Sequence, residues 1–128
     1  MRLIELWRKD FALELASGFF ERYWPAFEAR GYARPALRVR AMRTRWGSYS
    51  RRTNSISLNV SLIKAPAEFM EYVVAHELAH LTYLDHSPGF QGVLSDLMPD
   101  WKVRRRRLRS WATGGTDGHI SRIVPEGT

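Results

Sequence analysis

The chain contains no cysteine. That excludes disulfides and thiolate ligands, so any metal it holds must be bound through histidines and carboxylates. A cysteine-free chain is compatible with a reducing compartment. Long apolar runs are also missing, and no stretch approaches the roughly 20 residues of a membrane-spanning helix. Nor does Met1-Arg2-Leu3-Ile4-Glu5 begin a secretory signal, because Glu5, Asp10 and Glu14 interrupt the apolar positions. The expectation is a soluble, cytoplasmic protein with no membrane partner. Acid is scarce relative to base: 13 Asp and Glu against 20 Lys and Arg leave a net charge of +7. Such a surface favours anionic partners without choosing among nucleic acid, lipid and acidic protein. Histidine is scarce too, yet three of the four histidines fall between positions 76 and 86.

What is present suits one compact domain. The 128 residues are 45% hydrophobic, with five Trp, five Tyr and six Phe, enough to build a core without relying on a metal. Residues 1–111 read as the domain. Residues 112–128, with four glycines, one proline and no period, read as an irregular tail.

A helix is expected from Asp10 to about Arg30. Phe11, Leu15, Phe19, Tyr23 and Phe27 recur at fours, Phe20, Trp24 and Leu13 widen the stripe, Asp10 suits an N-cap and Gly31 a stop. Pro25 predicts a kink or break near Trp24. Leu37, Val39 and Ala41 alternate with arginines as in a half-buried strand, and Ile56, Leu58, Val60 and Leu62 alternate likewise. These two runs are expected to pair as an antiparallel hairpin, with Asn54 at a turn. Pro66 opens a further helix, Ser87-Pro88 reads as an N-cap followed by a first-turn proline, and Pro99 separates that helix from a last one over Asp100 to Trp111.

The histidines carry the chemistry. His76-Glu77-Leu78-Ala79-His80 is a His-Glu-x-x-His element. On a helix, residues four apart share a face, so His76 and His80 can grip one metal ion while Glu77 reaches a water beside it without binding the ion. A catalytic zinc takes three protein ligands and keeps one position open. His86 is the third candidate if the helix ends near Leu84 and the chain turns back, a turn for which Asp85 tolerates the left-handed conformation. Asp96, Asp100 and His119 are the alternatives.

Four segments occur in order: Arg45-Trp46-Gly47-Ser48, Ile56-Ser57-Leu58-Asn59, Tyr72 to Leu81 around the two histidines, and His86-Ser87-Pro88-Gly89-Phe90. Together they resemble the YgjP-like metallopeptidases, small zincins related to the SprT-like proteins, over a span from about Phe11 to Trp111. The resemblance implies an α+β zincin-like core, a small antiparallel or mixed sheet packed on helices. It also implies one Zn2+ per chain on His76, His80 and His86, with Glu77 as catalytic acid/base and a peptide or protein as substrate. The chain departs from the family pattern at Tyr49, Asp85 and Gln91.

The expected activity is that of a zinc metallopeptidase, a hydrolase in which Glu77 takes a proton from a metal-activated water. Hydrolysis of a non-peptide amide would need the same parts. Tyr83, Arg45 and Tyr49 are candidates for oxyanion or substrate contacts. Ser57 and Asn59 would flank a peptide added to the second alternating run. The competing reading is a basic nucleic-acid-binding module with a structural or vestigial metal site. Its contacts would be Lys102, Arg104, Arg105, Arg106, Arg107 and Arg109, with Arg38, Arg40, Arg43, Arg51 and Arg52. Trp46, Tyr49 and Trp101 would serve as stacking surfaces.

Overall fold

The computed structural model describes residues 2–114. Helix α1 (Arg2–Glu28) is followed by strands β1 (Ala36–Arg40), β2 (Gly47–Ser50) and β3 (Ser55–Asn59). A 3-10 turn over Val60–Lys64 leads into α2 (Ala67–Ala79), α3 (Pro88–Leu97) and α4 (Trp101–Gly114). This is an α+β architecture of four helices and one small mixed sheet.

The sheet order is β1-β3-β2, so β3 is central. It pairs in parallel with β1, Leu37 beside Ile56, and antiparallel with β2, Tyr49 beside Ile56. The two alternating runs are therefore neighbours but not a hairpin. The antiparallel partner is β2, hidden in what the sequence reads as connecting chain. Residues 41–46 must carry the chain across the end of β3 to its far side. Asn59, the last residue of β3, holds them there. Its Nδ2 donates to the carbonyls of Met42 (3.0 Å) and Arg45 (2.9 Å), and its backbone N–H donates to the Trp46 carbonyl (2.8 Å). Asn54 makes the β2–β3 turn at φ 47°, the left-handed region that asparagine tolerates.

Of the apolar stripe expected on α1, Phe20, Trp24 and Phe27 are buried and Leu15, Phe19 and Tyr23 pack half-buried beside them, but its centre shifts toward Ala12 and Ala16 near the start. Ala12 and Ala16 are buried, whereas Phe11 is exposed. The two small residues let α1 lie close against its neighbours, and the larger residues take over toward its end. Pro25 does not break the helix, which runs on to Glu28, and the Pro25 carbonyl accepts from the Ala29 N–H (3.0 Å). Helix α2 is the centre of the molecule, buried at every position from Phe69 to Ala79. The second alternating run leaves strand geometry after Asn59, and Leu62 is buried from the 3-10 turn.

Around α2, one buried carboxylate ties three helices. Glu71 accepts from Arg22 (2.8 Å) and Tyr23 on α1 and from Arg104 (2.8 Å) on α4. Trp111 then packs against Phe69 and Trp46, with ring centroids 6.2 and 6.1 Å apart. Helix α4 runs to Gly114, three residues into the stretch expected to be tail. The rest of that stretch, with His119, lies outside the described residues. Among the described residues no helix is long and apolar enough to cross a membrane.

Candidate metal centre

Two turns of α2 and the loop after it assemble the site. His76 and His80 project from one face of the helix, which ends with His80 as its C-cap. The chain then reverses through residues 81–86 without a left-handed residue at Asp85. The Asp85 side chain instead accepts from the Ser87 backbone N–H (3.3 Å). Ser87 then caps α3 by accepting from the Phe90 N–H, and Pro88 fills the first helical turn. That reversal brings His86 back onto His76, with their Nε2 atoms 3.3 Å apart.

Among the described residues, His76, His80 and His86 are the one group whose ligand atoms all lie within 4.8 Å of one another. Two imidazoles on one tetrahedral ion, at about 2.0–2.1 Å each, would have nitrogens about 3.3–3.4 Å apart, so the His76–His86 spacing fits a shared cation. The other side of each ring supports the same orientation. His80 Nδ1–H donates to the Tyr83 carbonyl (2.9 Å), leaving Nε2 with its lone pair. The Tyr72 hydroxyl lies 3.5 Å from His76 Nδ1. Phe90 forms an apolar floor under the triad, its ring centroid 4.5 to 5.0 Å from all three imidazoles. Burial, followed by neighbouring positive charge, pushes His76 well below its usual pKa, and burial also lowers His80 and His86. Neutral imidazoles are the form that binds metal. Asp96 lies in another cleft and Asp100 pairs with Arg104, so neither joins the cluster.

Glu77 faces the same pocket, with Oε2 4.0 Å from His76 Nε2. Burial raises its carboxyl to about 8, and the charge of Arg45 opposes that rise. Arg45, Gly47, Tyr49 and Leu84 complete the pocket, which encloses about 140 Å³. Gly47 is where the sheet touches the helix. A β-carbon there would lie 2.7 Å from Val73 Cγ1 and 3.2 Å from Glu77 Cγ. The Arg45-Trp46-Gly47 segment thus presses β2 onto the turn of α2 that carries Glu77. Sequence gives no sign of this, because the glycine's neighbour is remote in the chain.

The other candidates separate. Arg45 and Tyr49 line the pocket, and the Tyr49 hydroxyl donates to Asn54 Oδ1 (3.0 Å). The Tyr83 ring lies over Gly89 in a different cleft, and what it lends the site is its carbonyl. Ser57 and Asn59 are buried in the central strand, so neither flanks a free edge. A peptide cannot add to β3, since both its edges are paired. Of the basic residues on α4, Arg104 turns inward to Glu71 and Arg107 pairs with Glu68 (3.1 Å). Lys102, Arg105, Arg106 and Arg109 make no ion pair among the described residues. Trp46 and Trp101 are buried, so they offer no face for stacking bases.

Solved structures share this fold. The metallopeptidase zymogen abylysin of Pyrococcus abyssi superposes with a TM-score of 0.63 at 25% identity, over 74% of this chain and 92% of that one. The metallopeptidase zymogen jannalysin of Methanocaldococcus jannaschii gives 0.56 at 15% identity, over 72% and 94%. No curated protein sequence matches the chain significantly. The YgjP-like, metallopeptidase domain model matches residues 2–111, nearly all of the described chain, and the protein belongs to the YgjP-like family of metal-dependent peptidases.

Proposed function

We propose that this metallopeptidase holds one zinc ion through His76, His80 and His86 and uses Glu77 as the general base of peptide-bond hydrolysis. The observation that carries the reading is the convergence of three imidazole nitrogens within 4.8 Å beside a buried carboxyl. A nitrogen-only donor set suits zinc, and the resemblance of the sequence to zincins favours it over other divalent ions. When bound, such an ion supplies Lewis acidity, polarising a carbonyl and acidifying water.

The protein's own groups do the rest. Glu77 accepts the proton of the attacking water and delivers it to the leaving amine, a task for which its carboxyl faces the histidines in the same pocket. Arg45 is the cation on the pocket wall available to the developing oxyanion. Strand β2 pairs only with β3 among the described residues, so its outer edge is open beside the pocket. An extended peptide adding to that edge would pass the histidines.

Metal content by elemental mass spectrometry tests the ligands. One zinc per chain is expected in the wild type, absent in His80→Ala and weakly held in His86→Ala. Glu77→Gln should keep the metal and lose about 10²–10⁴-fold in peptide hydrolysis. A wild type that takes up no added zinc, or a Glu77→Gln variant of full activity, would overturn the reading.

A further inference from the structure

The loop that carries Arg45 has a second side. Arg40, Arg43, Arg45 and Ser48, with the main chain between them, line a cleft of about 360 Å³ adjoining the catalytic pocket. Arg45 belongs to both. Three arginines line it without a carboxylate, and none of the three makes an ion pair among the described residues. Four other arginines are paired, Arg22 and Arg104 with Glu71, Arg34 with Glu21 and Arg107 with Glu68, and what sets the cleft apart is that three unpaired ones line a single concave surface. Like charges gathered around a concave surface repel one another in the free protein and attract an anion to it.

The geometry points to a substrate subsite: the Arg40–Arg43–Arg45 cleft binds an anionic side chain, carboxylate or phosphoryl, of a peptide laid along β2. The enzyme would then select acidic peptides. This rests on the peptidase reading of the histidine centre. A peptide fits better than nucleic acid for two reasons. The cleft is side-chain sized and continuous with the catalytic pocket through Arg45. Trp46 and Trp101, the tryptophans considered for base stacking, are buried. Guanidinium is also the cation that matches carboxylate and phosphoryl oxygens in a fork.

The test uses one peptide series with Gln, Glu or phosphoserine scanned through the positions flanking the scissile bond. Equilibrium affinity is read on the zinc-loaded full chain carrying Glu77→Gln, and hydrolysis on the wild type. At one position Glu or phosphoserine should bind about fivefold or more tightly than Gln at low salt, with the advantage shrinking as salt rises. Arg40→Gln with Arg43→Gln should bring the three peptides within about twofold of each other, while Arg52→Gln leaves the preference intact. Which anion gains more identifies the source of the charge. Equal binding of Glu and Gln peptides at every position, or a preference that survives the double substitution, overturns the subsite. So does a single-stranded oligonucleotide that displaces the acidic peptide and depends on the same two arginines. Selective binding without any wild-type hydrolysis would remove the mechanism above and leave the subsite standing.

Discussion

A missing β-carbon sets the distance between the sheet and the helix that carries His76 and His80. At Gly47 an added methyl would meet Val73, which is buried and has nowhere to go, and the side chain of Glu77. Gly47→Ala is expected to cost about 1–3 kcal/mol by overpacking. Its effect on kcat should be larger, about 10²-fold, because the carboxyl moves while the histidines stay. Gly89→Ala is the contrast. Its β-carbon would meet the Tyr83 ring at 2.6 Å, but that ring is 45% exposed and can swing aside. Thermal melts and peptide hydrolysis on the two variants separate the cases, and equal losses would show that proximity to Glu77 has no special weight. At this scale the sequence is legible where chemistry is written in spacing. His76, Glu77 and His80 declare themselves by period, and Ser87-Pro88 declares a helix start. Gly47 and Asn59 do not, because what each touches lies elsewhere in the chain.

Among the elements, α2 depends on its neighbours on every side. Glu71 is the clearest joint. Burial alone would raise its carboxyl, but hydrogen bonds from Tyr23, Arg104 and Arg22 outweigh that and hold it below its ordinary 4.5. The unfolded chain therefore binds this proton first on acidification. The stabilisation is complete above pH 4.5 and is lost as the pH falls through the lower folded value. The gap in melting temperature between wild type and Glu71→Gln should accordingly narrow below pH 4.5; a gap that widens would refute the assignment. Arg104→Met should cost about 1–3 kcal/mol, while Arg106→Met on the same helix should stay within about 0.5 kcal/mol. The α4 arginines look alike in sequence, and only packing tells the inward one from the rest. The sheet was partly legible for a related reason. Alternation identifies β1 and β3 as strands, but a hairpin is the shortest connection between consecutive strands, and Gly47-Ser48-Tyr49-Ser50 has too few apolar residues to announce a strand between them.

For the whole molecule, the apolar core is complete without a metal. It runs from Ala12 on α1 through the sheet and α2 to Ala112 on α4. Stripping the metal should abolish hydrolysis yet leave the far-ultraviolet circular dichroism unchanged, with the melting temperature lowered only by the lost binding energy. Unfolding on chelation would mean that the core does not suffice. The tie between α4 and Glu71 also bears on how the protein is made. The ribosome releases α2 before α4, and until Arg104 and Trp111 emerge, the helix with the histidines lacks one of its walls. The helix that holds the histidines is therefore expected to settle into its final packing only after residues 104–111 have left the ribosome.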